Sequence, residues 1–193
     1  MWCCLVGSEM CIRDSLETQQ QFKIGFAPNT QLMAQKVKLE LGSDQLALDA
    51  GIVGRRQGDQ RLYDTMRNRL IFPIENEYGQ VVALAGRAIE PKQSPKYLNT
   101  KASEIYDKSN TLYGLSQVLS HNKRPPSITF VEGYMDVLSS HQSGIRSTVA
   151  TCGTAVTEQH LSKAFSHTNH VHFMLDGDQA GVKAAILAAK RAL

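Results

Sequence analysis

Three carboxylate residues stand at the ends of predicted strands, where acidic side chains could bind a metal ion. The stretch "FMLDGDQAG" places Asp176 and Asp178 directly after an apolar run, and "ITFVEG" places Glu132 after another. Functional side chains of open α/β sheets gather at the carboxyl ends of the strands. Carboxylates crowded there repel one another unless a hard cation such as Mg²⁺ neutralises them. The three residues together therefore favour a metal site.

The same residues also have an ordinary structural interpretation. Asp-Gly-Asp is a good turn and N-cap sequence, and Glu-Gly can simply end a strand. Asp136 of "GYMD" is open in the same way. It could hydrogen-bond to the metal ligands without binding the metal itself, or it could be a carboxylate in the first turn of a helix.

Two other groups of residues suggest different chemistry. The stretch "SHTNHVH" contains His167, His170 and His172, but the last two would share one strand face, so zinc binding is disfavoured. Cys152 and His160 could be a nucleophile and a base, but no third orienting group stands out in the sequence. A small buried cysteine is the favoured interpretation.

The elements that must position these residues alternate regularly from Ser127 onward. The apolar runs "ITFV", "STVATCG" and "HVHFMLD" predict strands, and each is followed by a segment with helical periodicity. Parallel strands joined by helices require right-handed crossovers. The pattern predicts a β-α-β-α-β-α unit with a small, open, parallel α/β sheet.

The three helices of this unit are expected to turn apolar faces inward. These faces consist of Tyr134, Val137, Leu138 and His141 in the first helix, Leu161, Ala164 and Phe165 in the second, and Val182, Ala185, Ile186, Ala189 and Leu193 in the third.

The segment from Ser15 to Pro126 has a mixed α and β pattern. "NTQLMAQKVKLELG" predicts a helix with Asn29 or Thr30 as N-cap and Gly42 as its stop. "SDQLALDAG" predicts a second helix that begins after Ser43 and stops at Gly51.

A hairpin and a loop follow in the sequence. "RLIFPIENEYGQVVALAGRAI" predicts two strands around a turn at residues 75–80, with Pro73 favouring an edge strand. "EPKQSPKYLNTKASEIYDKSN" is polar and predicts a loop, and the adjacent prolines of "KRPPS" predict a boundary at residues 123–127.

Composition limits the class of protein without identifying a ligand. The 193 residues are 42% hydrophobic and 20% charged, which is typical of a soluble globular chain with one good core or two small ones. A net charge of +3 permits a polyanionic partner without requiring one. No apolar run approaches the roughly 18 residues of a membrane span, so a cytosolic location is expected.

The first fourteen residues are treated as a tail that lies outside the predicted fold. "MWCCLV" is too short for a signal peptide, and charged residues follow it at once. Cys3, Cys4 and Cys11 have no nearby histidine and no Cys-x-x-Cys spacing. A zinc site and a disulfide framework are therefore both disfavoured.

Several motifs resemble those of one known family. "VEGYMDVLSSHQSGIRSTVATCGTAVTEQH" followed by "LDGDQAG" resembles the TOPRIM domain of bacterial replicative primases of the DnaG type. "FKIGFAP", "YDTMRNRLIFPI", "GRAI" and "PKYLNTKASEIYDKSNTLYGL" resemble, in order, the amino-terminal part of that family's RNA polymerase domain. The resemblance implies an N-terminal subdomain at residues 15–126 and a truncated TOPRIM domain at residues 127–193, after an unassigned tail at residues 1–14.

The resemblance also implies roles for individual residues. Glu132, Asp176 and Asp178 correspond to catalytic metal ligands of the family. A basic ridge for template DNA or the incoming nucleotide is implied at Arg67, Arg69, Lys96, Tyr97, Asn99 and Lys108. Arginine forks grip phosphates and tyrosine stacks on unpaired bases, although a solvated charged loop is the alternative for this segment.

The implied activity is that of a DNA primase, which synthesises short RNA primers on single-stranded DNA by metal-assisted nucleotidyl transfer. The expected cofactor is Mg²⁺, with Mn²⁺ as a substitute, and zinc is expected only in an N-terminal domain that the sequence lacks. Expected partners are the DNA template, ribonucleoside triphosphates, the RNA primer and, through a missing C-terminal domain, a replicative helicase. The expected place is the bacterial replication fork in the cytoplasm, and the fragment alone is expected to prime weakly or not at all.

Two other classes of function stay open at this stage. One is another TOPRIM enzyme, such as a nuclease, a topoisomerase or a phage primase-helicase. The motifs "RNRLIFPI" and "PKYLN" disfavour the nuclease and the topoisomerase. The other class is a non-catalytic nucleic-acid-binding module, which the presence of all three carboxylates disfavours.

Overall fold

The computed structural model describes residues 15–40 and 43–192 of the chain. The tail with Cys3, Cys4 and Cys11, the expected helix stop Gly42 and the terminal Leu193 lie outside these ranges. Within them, no helix is both long and apolar enough to cross a membrane.

The described residues form helices and strands in a mixed order. The helices are α1 (Leu16–Gln21), α2 (Leu32–Glu40), α3 (Asp44–Asp49), α4 (Leu115–His121), α5 (Tyr134–Gln142), α6 (Glu158–Phe165) and α7 (Gln179–Ala192). The strands are β1 (Gly25–Ala27), β2 (Val53–Arg55), β3 (Leu62–Asp64), β4 (Arg69–Glu75), β5 (Val81–Ala88), β6 (Tyr97–Asn99), β7 (Leu112–Tyr113), β8 (Ile128–Val131), β9 (Thr148–Thr151) and β10 (Val171–Phe173).

The first sheet has the strand order β1-β4-β5-β6 and is antiparallel. Its β4–β5 hairpin confirms the predicted turn between the two apolar runs. The expectation that Pro73 marks an edge strand is wrong, because β4 lies inside the sheet. Pro73 is tolerated because β1 pairs with β4 only from Arg69 to Ile71, so no β1 partner stands opposite the proline.

Strand β6 lies within the segment predicted to be a loop, so that prediction is wrong for Tyr97–Asn99. These residues pair with Ala85–Arg87 of β5 in antiparallel register. Three residues are too few to show a strand alternation in the sequence. The strand forms because the edge of β5 offers its unpaired backbone groups.

The two early helices are present, but the first has an unexpected cap. Helix α2 begins at Leu32, and the Asp64 carboxylate of β3 accepts hydrogen bonds from the N–H groups of Met33 and Ala34 at 3.0 and 2.7 Å. The cap therefore comes from a distant strand instead of Asn29 or Thr30. Helix α3 follows Ser43 as predicted.

The second sheet has the order β10-β8-β9-β7. Strand β8 is parallel to both β9 and β10, with α5, α6 and α7 following in turn, which confirms the predicted β-α-β-α-β-α unit. Strand β7, which the sequence pattern did not predict, pairs antiparallel with β9. The N-terminal segment thus contributes a strand to this sheet.

The predicted inward faces are correct for α5, partly correct for α6 and wrong for α7. In α5 all four predicted residues are buried. In α6 Leu161 and Ala164 are buried, but Phe165 is exposed, so that part of the prediction is wrong. In α7 Val182 and Ile186 are 50% and 52% exposed, while Ala188 is buried. Small residues allow the closest approach, which is why the largest apolar side chains of α7 do not mark its inner face.

A cluster of aromatic rings joins the two sheets. The Tyr134 ring of α5 stacks on Phe72 of β4 with centroids 5.6 Å apart and meets Tyr113 of β7 edge-on at 4.8 Å. Phe22 also contacts Tyr113, with ring centroids 5.7 Å apart. Because rings from both sheets pack in one buried cluster, the cluster fixes the position of one sheet relative to the other.

Cys152 belongs to this core and not to a nucleophile–base pair. Its thiol is buried and points to the Thr111 carbonyl oxygen, with a sulfur–oxygen distance of 3.6 Å. The ring nitrogens of His160 lie within hydrogen-bond distance of the Thr157 N–H and the Lys108 carbonyl oxygen. Burial raises the pKa of Cys152 to about 11 and lowers the pKa of His160.

We expect Cys152 to resist alkylation in the folded protein. With a pKa of about 11 only about one thiol in a thousand is ionised at pH 8, and burial blocks access as well. Iodoacetamide treatment followed by mass spectrometry of the tryptic peptide 147–163, which contains no other cysteine, measures this reaction. Modification should occur only after unfolding, and equal rates in native and unfolded protein would contradict the assignment.

A buried carboxylate ties the hairpin to α4. Glu75 Oε2 accepts hydrogen bonds from Ser116 Oγ at 2.5 Å and Gln117 Nε2 at 3.0 Å. Its Oε1 lies 2.6 Å from Lys23 Nζ. A buried carboxylate is costly unless it has such partners, so this group is expected to be sensitive to substitution.

We expect Glu75→Gln to lower the free energy of unfolding by about 1–3 kcal/mol, because the ionised acceptor of Ser116 and Gln117 is lost. Urea unfolding followed by circular dichroism measures the change. Glu90→Gln is the matched control, since Glu90 bonds Asn68 at the surface and should change stability by less than about 0.5 kcal/mol. Equal effects of the two substitutions would show that the Glu75 contacts stabilise the fold no more than a surface hydrogen bond does.

Candidate functional site

The parallel pairing of β8 with β10 brings two of the predicted metal ligands to one sheet edge. Glu132 follows β8 directly, and Asp176 lies in the turn after β10. Phe130 of β8 is in register with Phe173 of β10, so both strands end at the same level. Asp178 follows in the same turn, and all three side chains are exposed to solvent.

The electrostatics of this edge show that the carboxylates interact. A hydrogen bond with the Asp176 side chain raises the pKa of Glu132, and desolvation and the charges of Asp176 and Asp178 act in the same direction, while a backbone hydrogen bond at Asp176 opposes them. A nearby negative charge disfavours ionisation of a carboxyl group, which is why these neighbours raise the pKa of Glu132. The structure therefore brings Glu132 and Asp176 together, with Asp178 near enough for its charge to act on Glu132.

Asp178 also has the structural role that the turn sequence suggested. Its Oδ1 accepts the Gly181 N–H at 2.7 Å, and it immediately precedes α7 as its N-cap. A Cβ at Gly181 would lie only 2.0 Å from the Asp176 carbonyl oxygen. Glycine is thus required for α7 to approach the turn that carries Asp176, a role that no sequence pattern indicated.

Asp136 adopts the first-turn position that was one of its two interpretations. Its Oδ2 accepts the Gly133 N–H at 2.9 Å, which closes the turn between Glu132 and α5. Burial, followed by the Asp136 charge, raises the pKa of Tyr97, while Arg87 opposes this shift. Arg87 of the "GRAI" motif is therefore a further cation near the site, and it is not among the residues predicted from the sequence.

The donor set suits a hard cation, although the side chains do not surround one position. Carboxylate oxygens at an exposed edge leave room for waters in the metal shell, as Mg²⁺ prefers. Among the described residues, no group of three or more His, Cys, Asp or Glu side chains has the arrangement of a metal site. Of the histidines considered for zinc, His167 places Nε2 3.3 Å from Glu77 Oε2.

The residues expected to form a basic ridge differ in exposure. Arg67 and Lys96 are exposed, Lys108 is half-buried, and Tyr97 is 38% exposed and packs on Tyr134 with ring centroids 6.0 Å apart. These side chains retain surface on which a nucleic acid could bind.

Arg69 departs from the expected ridge because it is only 3% exposed. Its Nη1 donates to the carbonyl oxygens of Gly86 at 3.2 Å and Lys96 at 3.4 Å. A Cβ at Gly86 would lie 2.9 Å from Arg69 Cδ, so this glycine makes room for the arginine stem. Arg69 thus supports the backbone under Lys96, and burial lowers the pKa of its guanidinium.

Asn99 joins the first sheet to the second. Its Nδ2 donates to the Cys152 carbonyl oxygen at 2.8 Å, and its Oδ1 accepts a hydrogen bond from the Tyr134 hydroxyl at 3.1 Å. Tyr134 follows Glu132 by two residues. The side-chain amide therefore links the strand that carries Tyr97 to the turn that carries the first carboxylate.

Comparison with family models matches almost the whole chain. Residues 13–119 match the family described as "DNA primase catalytic core, N-terminal domain", and residues 127–193 match "Toprim domain". A curated DNA primase from Legionella pneumophila is 39% identical over 177 residues, which is 92% of this chain and 30% of the relative. The chain thus spans less than a third of the length of such relatives.

Solved structures show the same similarity. The E. coli primase catalytic core superposes with a TM-score of 0.88 at 37% identity, covering 94% of this chain and 57% of that one. A structure described as the DnaG primase catalytic domain bound to ssDNA gives a TM-score of 0.85 at 38% identity, with 93% and 56% covered. The predicted fold and the resemblance to primases of the DnaG type are both confirmed. The chain belongs to the family of the DNA primase catalytic core, because the match to that family's N-terminal domain alone covers more than half of the chain.

Proposed function

We propose that this chain is part of a DNA primase, which synthesises short RNA primers on single-stranded DNA by metal-assisted nucleotidyl transfer. The observation that carries the proposal is the contact between Glu132 and Asp176 at the shared edge of β8 and β10. Residues 15–126 would be the N-terminal subdomain of the RNA polymerase domain and residues 127–193 part of the TOPRIM domain, with residues 1–14 an unassigned tail.

Glu132, Asp176 and Asp178 would hold Mg²⁺, or Mn²⁺ in its place. When bound, the cation would neutralise charge on the reacting phosphates and favour ionisation of the attacking hydroxyl. The chain's own contribution is placement: Asp136 fixes the turn at Gly133, and the Asp178 cap with Gly181 fixes the turn after β10. The three exposed carboxylates supply the negative charge that would hold a cation at this edge. Triphosphate oxygens could then lie next to the carboxylates without repulsion.

The cations of the basic ridge would bind the polyanionic partners. Arg67, Lys96 and Lys108 offer charges for phosphates, and the exposed part of Tyr97 offers a stacking face for a base. The structural neighbour described as bound to ssDNA supports a single-stranded template. Ribonucleoside triphosphates, the RNA primer and a replicative helicase are the other partners proposed for the whole protein, at the cytoplasmic replication fork.

Arg69 and Asn99 would act on ligands only through their neighbours. Arg69 bonds the carbonyl oxygen of Lys96, and Asn99 bonds Tyr134 and Cys152. Their proposed role is to hold the nucleic-acid surface in place relative to the carboxylates.

The alternative function is a nucleic-acid-binding module without metal chemistry. One observation favours it: the described part of the chain contains no three-ligand arrangement of His, Cys, Asp or Glu. The two functions differ in whether a divalent cation binds at the β8–β10 edge.

We expect the double substitution Asp176→Asn, Asp178→Asn to weaken Mn²⁺ binding at least about tenfold, because two of the three ligand charges are lost. Asparagine retains an oxygen that can accept the Gly181 N–H, so the cap of α7 is preserved. Electron paramagnetic resonance of free Mn²⁺ measures the affinity.

The control for this experiment is Asp44→Asn, Asp49→Asn, which removes the same charge from α3. That variant should bind Mn²⁺ like the wild type. No binding by the wild type, or equal binding by the wild type and the Asp176, Asp178 variant, would contradict the metal site and favour the binding module.

We expect Arg67→Ala with Lys96→Ala to weaken binding of fluorescent oligo(dT). Two lost phosphate contacts should reduce the slope of log K against log salt by about 1.4. Fluorescence anisotropy across a salt series measures this slope. Lys123→Ala with Arg124→Ala removes two exposed charges after α4 and should leave the slope unchanged. If the Arg67, Lys96 variant and the Lys123, Arg124 variant have equal salt slopes, the DNA-binding surface lies elsewhere.

A further inference from the structure

The turn that carries Lys108 is closed by hydrogen bonds to Asp107. The Asp107 carbonyl oxygen accepts the Asn110 N–H at 3.1 Å and the Thr111 hydroxyl at 2.6 Å. The Asp107 Oδ1 accepts the Ser109 N–H at 2.9 Å. These bonds close the loop locally, but they leave the carbonyl groups of Lys108 and Ser109 to other partners.

Those two carbonyl groups bind the start of α6. The Lys108 oxygen lies 2.8 Å from Nε2 of His160, and the Ser109 oxygen accepts the Thr157 hydroxyl at 2.5 Å. Residues about 50 positions apart in the sequence are thus joined by two adjacent hydrogen bonds. The turn is held to the helix at the two peptide groups on either side of the Ser109 α-carbon.

The positions of the hydrogens in this contact follow from the capping box of α6. His160 Nδ1 accepts the Thr157 N–H at 3.2 Å, so Nε2 carries the ring hydrogen and donates it to Lys108. Thr157 Oγ1 accepts the His160 N–H at 3.1 Å and donates its own hydrogen to Ser109. Both ring nitrogens of the fully buried imidazole are therefore used.

Lys108 lies at the edge of the sheet that carries the proposed catalytic carboxylates. Cys152 follows β9 as Glu132 follows β8, and these two strands are parallel neighbours. Burial raises the pKa of Cys152, and the nearby Lys108 charge opposes this shift. The turn that carries Lys108 continues to Thr111, whose carbonyl oxygen lies 3.6 Å from Cys152 Sγ, so the turn lies at the carboxyl end of β9.

We propose that His160 is a positioning residue for Lys108. Its hydrogen bond to the Lys108 carbonyl oxygen holds the turn so that the ammonium group faces a nucleic-acid phosphate at the sheet edge. Thr157 supports the same turn through Ser109. This role rests on the proposed function, because it matters for binding only if Lys108 contacts the template.

Two substitutions of His160 separate the hydrogen bonds from side-chain volume. Gln can accept the Thr157 N–H and donate to Lys108, and it is a natural residue at this position of a capping box. Leu fills a similar volume but forms neither bond. We therefore expect His160→Gln to behave like the wild type and His160→Leu to release the turn.

The measurement is oligo(dT) binding by the 193-residue chain across a salt series, with and without Lys108→Ala. Loss of one phosphate contact should lower the affinity on the order of fivefold at about 0.1 M salt and the salt slope by about 0.7. His160→Leu should reproduce both effects in the wild-type background. In the Lys108→Ala background it should cause no further loss.

His141→Leu is the matched control for losing a buried histidine. His141 lies on α5 and its Nε2 bonds the Thr148 carbonyl oxygen at 3.1 Å. This control should leave the salt slope unchanged. If His160→Leu does not fold, Thr157→Val removes the bond to Ser109 together with the cap bond from the His160 N–H. Thr157→Ser keeps both bonds and is its control, and the same slope is measured.

Two results would contradict the positioning role of His160 without contradicting the proposed function. One is a loss in Lys108→Ala without any loss in His160→Leu or Thr157→Val. The other is an equal further loss when His160→Leu is added to Lys108→Ala, which would indicate general loosening. If Lys108→Ala has no effect in the wild-type chain, the ridge assigned to the proposed function is wrong at Lys108, and the positioning role falls with it.

Discussion

The aromatic cluster around Tyr134 is the contact on which the rest of the structure depends. One face of the Tyr134 ring stacks on Phe72 of the first sheet, and its edge meets Tyr113 of the second. Its hydroxyl donates to Asn99. Because Tyr134 opens the helix directly after the Glu132 turn, the same side chain holds β6, the strand that follows Lys96, near the acidic sheet edge.

Burial separates the polar residues of this region into two groups. Arg69, Asn99 and His160 are buried or half-buried and direct their side chains to backbone carbonyl groups. Glu132 and Lys96 are exposed. Buried polar groups must be satisfied within the protein, so they hold the framework, whereas exposed charges can exchange water for a ligand. The family motifs contain both groups.

Helix caps have two functions in this chain. Asp178 caps α7 and lies in the proposed metal site, and Asp136 closes the Glu132 turn from the first turn of α5. The capping box of α6 also binds the Lys108 turn. A turn or cap interpretation is therefore compatible with a functional one, since a cap fixes the backbone next to it and so fixes the neighbouring side chains.

The sequence by itself determined the local elements: the hairpin, the β-α-β-α-β-α order and the position of Glu132, Asp176 and Asp178 after their strands. Those features follow from apolar periodicity and turn chemistry within a few residues. Only the tertiary structure decided that Asp64 caps α2, that β6 and β7 join sheets, and that Arg67 is exposed while Arg69 is buried. Each of these depends on a partner distant in the chain, and short-range patterns carry no information about which distant backbone or side chain will be adjacent after folding.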